Sequence, residues 1–129
     1  MNREILFRGK RADNGKWVMG MLCQYHEWAS AKIVPNDSGD FYSKMVWVVD
    51  PETVGQFTGL IDKNGVKIFE GDILKFKSGN YVVEWCNEHS KFLQADKQFT
   101  RELHCYIDNS EVIGNIHDNS ETMEGEPNV

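Results

Sequence analysis

Apolar residues in this chain recur at every second position, in short runs that each end at a turn sequence. A period of two belongs to strands, not helices, and restricts the fold to one built from sheets. Ile5 and Phe7 alternate with Glu4, Leu6 and Arg8. Asp13-Asn14-Gly15 follows, a turn sequence whose residues tolerate positive φ. Trp17, Met19 and Met21 then alternate with Val18, Gly20 and Leu22. Residues 4–11 and 16–24 therefore read as a β-hairpin.

The pattern continues with interruptions. Residues 25–45 are less regular, with a strand over Ala31–Val34 ended by Pro35 and a loop over Asn36–Asp40. Met45–Val49 reads as a buried strand stopped by Asp50-Pro51, and Thr53–Thr58 as extended chain. Turns are expected at Asp62-Lys63-Asn64-Gly65 and Glu70-Gly71-Asp72, with Val66–Phe69 extended between them. Ser78-Gly79-Asn80 reads as a hairpin turn before Tyr81–Cys86, in which Val83 and Trp85 share one face and Val82 and Glu84 the other. Lys91–Ala95, His104–Ile107 and Glu111–Ile116 are expected to be extended, while Asp96–Leu103 fits either a short helix or a loop plus strand. No segment has a sustained amphipathic helical pattern. The expectation is a mostly-β fold of short antiparallel strands with little helix, and a small barrel or barrel-like sheet as the leading architecture. Trp17, Trp28, Trp47, Trp85 and the seven Phe are expected mainly in the core, with some at a subunit interface.

Charge divides the chain. Residues 1–107 balance 14 basic against 14 acidic side chains, so the net charge of −6 resides in Asp108, Glu111, Asp118, Glu121, Glu124 and Glu126. One folded domain is expected over residues 1–117 and an acidic, disordered tail over 118–129. This balance excludes a nucleic-acid binder that works by bulk charge. The three cysteines, Cys23, Cys86 and Cys105, are too few and too widely spaced for a disulfide framework and point to a reducing compartment, the cytoplasm. Neither a signal-peptide pattern nor an apolar membrane span is visible, so no membrane partner is expected.

The block Asp50-Pro51-Glu52-Thr53-Val54-Gly55-Gln56-Phe57-Thr58-Gly59-Leu60, followed by Asp62-Lys63-Asn64-Gly65 and Ile68-Phe69-Glu70-Gly71-Asp72-Ile73-Leu74, resembles the YopX protein family of phages and bacterial prophages. Arg3–Gly9 and Glu111–Ile116 fit the same pattern, so the resemblance spans residues 3–116, although 25–45 and 87–108 carry no matching motif. It implies a mostly-β fold with an SH3-like barrel element around Glu70-Gly71-Asp72-Ile73-Leu74, and a location in the host bacterial cytoplasm. It carries over no catalytic residue. The matched motifs are turn glycines, turn aspartates and apolar strand residues, which make a folding signature rather than an active site.

Other chemistries have only partial residue sets in this chain. Cys86-x-x-His89 and His104-Cys105 together offer four zinc-ligand types, but neighbours on a strand point to opposite faces and no Cys-x-x-Cys pair is present. The reading is no metal, with a packed cysteine and a surface histidine. None of the cysteines lies at an expected helix N-terminus, so a nucleophilic thiol is disfavoured. Asp62, Glu70 and Asp72, with Glu84 and Glu88 beyond, supply carboxylates for a divalent cation, yet aspartate at a turn ordinarily satisfies backbone N–H groups. Phosphate-binding glycine loops are absent. No cofactor and no catalytic residues are therefore expected.

The first hairpin is the exception to the balanced charge. Arg8, Lys10, Arg11 and Lys16, with Trp17, are the candidate nucleic-acid contacts, since small β barrels bind single strands through aromatics in a basic groove. The opposing explanation is a solvated hairpin whose charges protect a strand edge. The leading expectation is a non-enzymatic phage or prophage accessory protein that self-associates and binds an unidentified protein. A nucleic-acid-binding small β-barrel using the basic hairpin comes second, and a metal-dependent hydrolase on Asp62 and Asp72 last.

Overall fold

The turn sequences set the strand ends. Arg11 N donates to Lys16 O and Gly15 N to Arg11 O, both at 2.9 Å, and Asn14 Oδ1 accepts from Lys16 N. These bonds close a hairpin between β1 (Phe7–Lys10) and β2 (Trp17–Tyr25), in register from Phe7 opposite Gly20 to Lys10 opposite Trp17. A computed structural model of the chain describes residues 2–25, 30–35, 46–77 and 79–119. It divides the chain into two compact units, Met1–Phe57 and Thr58–Val129. The expected loop at Asn36–Asp40, Trp28, Ser78 and most of the 118–129 segment lie outside the described residues.

In the first unit, β3 (Ser30–Pro35) pairs with β2, and β4 (Trp47–Val49) pairs with β3. The first residues of β5 (Gly55–Ile61) pair with β1, giving the order β4-β3-β2-β1-β5, antiparallel at every join. Between β4 and β5, Pro51–Thr53 make one turn of 3-10 helix, with Asp50 Oδ1 accepting from Glu52 N at its start. Alternation sends Val18, Leu22, Ala31, Ile33, Trp47 and Val49 to one face, where they form the core with Val54. Gly20 lies on that face, and a Cβ there would stand 1.9 Å from Val34 O.

The second unit begins with the end of β5, which pairs with β6 (Lys67–Phe69). The expected turn at Glu70-Gly71 follows, with Gly71 at φ +92° and its N–H donating to Val83 O. The strands β7 (Asp72–Phe76), β8 (Gly79–Cys86), β9 (Lys91–Ala95), β10 (Thr100–Glu102) and β11 (Glu111–Asn115) form a sheet in the order β10-β9-β8-β7-β11. The ladder between β7 and β11 is irregular between Val112 and Gly114. Ile68, Leu74, Val83 and Leu103 make the buried core, with Leu60, Phe92, Ile107 and Val112 packed on it.

The mostly-β, antiparallel expectation matches the structure, and the ambiguous Asp96–Leu103 resolves as a turn and then β10. Asp96 Oδ1 builds that turn by accepting from Gln98 N and Phe99 N at 2.8 and 2.7 Å.

Three expectations need correction. First, the strand orders have two ends, so the sheets are open, and the barrel closure of the expected SH3-like element is not shown. The nearest approach to closure is a single antiparallel bridge between Arg11 and Val49. Second, His104–Ile107 is not extended. It is a turn leading into a 3-10 turn at Ile107–Asn109, with Tyr106 at φ +61°. Gln94 explains this, because its fully buried amide donates to Leu103 O and Cys105 O at 3.0 and 2.9 Å, taking carbonyls that a strand would give to a neighbour. Third, the described tryptophans are not mainly core residues: Trp47 packs half-buried against the first unit's core, Trp17 is half-buried and Trp85 is exposed. The indole of Trp85 reaches the surface to donate from Nε1 to Asn87 Oδ1 at 2.8 Å.

Candidate functional site

Of the five residues expected to touch nucleic acid, three come together. Lys10 stands opposite Trp17 in the β1–β2 register and Arg8 opposite Met19, so all four project to the outward face of the first unit's sheet. The Arg8 guanidinium lies 4.7 Å from the centre of the Trp17 ring, and Lys10 Nζ lies 5.6 Å from it. Such cation–π contacts contribute about 0.5–2 kcal/mol each, more where water is excluded. Arg8 is largely desolvated, with only 8% exposure.

The other two belong to the hairpin loop. Arg11 grips Asp13 in a two-point ion pair, Nε to Oδ1 at 3.0 Å and Nη2 to Oδ2 at 2.7 Å. The Arg11 hydrogen bond, with its charge, outweighs desolvation and holds the Asp13 carboxyl below its usual range. Lys16 is exposed. Half of the cationic set is therefore either buried or neutralised within the hairpin itself.

The outward face extends well past those residues. Met21 lies opposite Val34, Cys23 opposite Lys32, and Lys32 opposite Val48. Met19 and Met21 are each 48% exposed and Val48 52%. The face is thus apolar at its centre, with Lys10 and Lys32 among the apolar side chains. At the β4 end, Arg11, Ala12, Asp13, Val46, Trp47 and Val48 line a shallow hollow of about 270 Å³.

The other candidates fall to structural roles or to isolated pairs. Asp62 is buried, and its Oδ1 accepts from Asn64 N and Val66 N while its Oδ2 accepts from Val112 N, all at 2.8–2.9 Å. Asp72 is also buried and accepts from Phe69 N at 2.7 Å. Both carboxylates thus brace turns, as aspartate at a turn is expected to do. Cys86 Sγ lies 3.4 Å from His89 Nδ1, whereas His104 Nδ1 lies 3.4 Å from Glu102. Among the described residues no three His, Cys, Asp or Glu side chains are grouped closely enough to hold one metal ion.

Comparison with known proteins places this arrangement. A family model described as YopX protein matches residues 6–124. The chain belongs to the YopX family. No curated protein matches it. Among solved structures it is similar to the crystal structure of protein EF1440 from Enterococcus faecalis, at 22% identity and a TM-score of 0.57, over 95% of this chain and 99% of that one. At that identity the likeness is one of fold. Among the described residues, no helix is long and apolar enough to cross a membrane.

Sequence reasoning missed two features of this YopX-family chain. One is a groove of about 290 Å³ in the second unit, floored by Leu60, Phe92 and Leu103 and edged by Lys91, Glu102 and His104. Lys91 Nζ bonds Glu102 at 2.6 Å and, by that bond and its charge, holds the Glu102 carboxyl below its usual range. The other is a cluster of aromatic rings around Arg101, whose guanidinium lies 4.1 Å from the Tyr81 ring, 4.8 Å from Tyr106 and 5.1 Å from Phe76. Its residues come from four separate segments, so no local signal announces it. Arg101→Ala removes these contacts and the bond to Gln94 Oε1. We expect a loss of about 1–3 kcal/mol, read as a lower denaturant midpoint.

Proposed function

We propose that this protein is a non-enzymatic interaction module, encoded by a phage or prophage, whose first unit binds a protein partner through the outward face of its sheet. One observation carries the reading: Met19, Met21 and Val48 stand exposed on a single sheet face, beside a tryptophan flanked by two cations. Methionine is favoured on adaptable binding surfaces because its side chain is flexible and polarisable, and exposed apolar surface of this kind marks interaction sites. Lys10 and Lys32 on that face favour a partner that is apolar with an acidic border. Family membership supports the phage or prophage setting, and the three free cysteines support a reducing host cytoplasm. The expected self-association would compete for the same face.

The nucleic-acid reading draws support from Trp17 with Arg8 and Lys10. It is weakened by the burial of Arg8 and the pairing of Arg11 with Asp13.

A pull-down from prophage-bearing cells, with and without nuclease, tests the proposal. The expected result is a nuclease-resistant protein partner retained by the wild type and lost with Met19→Glu/Met21→Glu, while that variant keeps its circular dichroism. Capture that is abolished by nuclease, or that survives the double substitution, overturns it.

A further inference from the structure

The turn between β8 and β9 carries a thiol and an imidazole that the proposed sheet-face function does not use. Cys86 is the last residue of β8, and His89 lies in the following turn, where Ser90 takes φ +52°. The Trp85 Nε1 bond to Asn87 Oδ1 fastens the near side of the turn. Across it, Cys86 Sγ and His89 Nδ1 stand 3.4 Å apart, within range of an S–H···N hydrogen bond. Cys86 is half-buried and His89 exposed, so a small molecule can reach the pair.

The charged surroundings also bear on the thiol. Cys86 stands opposite Lys91 in the β8–β9 register, and Lys91 is bonded to Glu102. Glu84 is two residues back on the same strand face, and Glu88 is exposed in the turn. Cys23 is exposed and stands opposite Lys32, while Cys105 is half-buried beside His104, which pairs with Glu102. Among the described residues, Cys86 is the cysteine with an imidazole nitrogen in hydrogen-bond range.

We propose that Cys86 and His89 form a reactive-thiol site that is modified by small peroxides. With its proton on Nε2, the His89 ring accepts the thiol proton at Nδ1. The Cys86 sulfur then attacks one peroxide oxygen, forming the S–O bond as the O–O bond breaks. Sulfur loses two electrons and the peroxide gains them. The departing hydroxide takes the proton back from the His89 imidazolium and leaves as water, giving a sulfenic acid on Cys86. The structure favours this reaction at Cys86 over the more exposed Cys23 because only the thiolate is strongly nucleophilic, and a base beside the thiol supplies it.

The test is timed alkylation of the native, full-length protein with iodoacetamide at neutral pH, read cysteine by cysteine by peptide mass spectrometry. Cys86 is expected to react about tenfold faster than Cys23 in spite of its lower exposure. His89→Ala should bring Cys86 down to the Cys23 rate while Cys23 and Cys105 keep theirs. Treatment with dilute hydrogen peroxide and a sulfenate-specific diketone should label Cys86 first in the wild type, and His89→Ala should abolish that preference. Should His89→Ala unfold the turn, the Cys86 rate rises while Cys23, in the other unit, keeps its own, and His89→Gln then decides, its Cys86 rate expected to fall to that of Cys23. A Cys86 rate no greater than that of Cys23, or one unchanged in the folded His89 variants, overturns the proposal.

Discussion

Gly20→Ala is expected to unfold the first unit or force β3 off β2. The added methyl would meet Val34 O at 1.9 Å and Val34 C at 2.7 Å, both backbone atoms that no rotamer change can move. Ile33 Cγ2 waits at 3.1 Å on the same side. Ordinary overpacking costs about 1–3 kcal/mol because side chains share the adjustment, and here the ladder itself must shift. A loss at or above the top of that range is expected, which consumes a large share of the stability of a small unit. Denaturant unfolding followed by the near-ultraviolet signal of Trp17 and Trp47 measures it. A midpoint within error of the wild type would show that β2 and β3 stand farther apart than described. Gly9→Ala is the milder comparison, since the atoms nearest its methyl belong to the Val49 side chain, at 3.1 Å.

Asp62→Ala should destabilise the second unit by about 3 kcal/mol or more, because it strands three backbone N–H groups that the carboxylate now satisfies. Asp62→Asn keeps one good acceptor and should cost less. The pH dependence distinguishes charge from shape. Burial opposes ionisation of Asp62, but the bonds from Val112, Val66 and Asn64, with the charge of Lys63, more than offset it and lower the carboxyl below its usual range. A group lowered in the folded state contributes stability that is fully present above its unfolded value of about 3.9, and loses it as pH falls through the lower folded value. The wild type should therefore lose this increment on acidification, while Asp62→Asn shows none of it. Paired urea titrations at neutral and acidic pH read the difference. Parallel losses in both proteins would assign the acid sensitivity to other carboxylates.

Much of the strand layout was legible because alternation and turn chemistry are local. Asn14 and Asp96 bond within a few residues of themselves, Asp62 does so through Oδ1, and Gly71 supplies a positive φ, so the turns at these residues form as local chemistry dictates. What locality could not settle was which face of a strand is buried. In β2, Met19 and Met21 are as apolar as Val18 and Leu22, yet only the latter pair reaches the core. Packing across strands makes that choice. His104–Ile107 was misread for a related reason: the group that bends it is the amide of Gln94, on another strand. The hairpin part of the candidate face was readable from the β1–β2 register, whereas Lys32 and Val48 join it only through non-local pairing. Cys86 and His89 were visible as a spacing, but a spacing says nothing of whether a turn brings two side chains together or parts them.

The bond from Val112 N to Asp62 Oδ2 joins residues 50 positions apart, and it sits where β11 lies along the free side of β7. During synthesis, β7, β8 and β9 can pair as they emerge, but β7 keeps one side uncovered and Asp62 keeps one oxygen unmatched until Val112 has left the ribosome. The second unit thus depends on a late-arriving strand, and a chain stalled or cut before β11 would present an open β edge to whatever is near it.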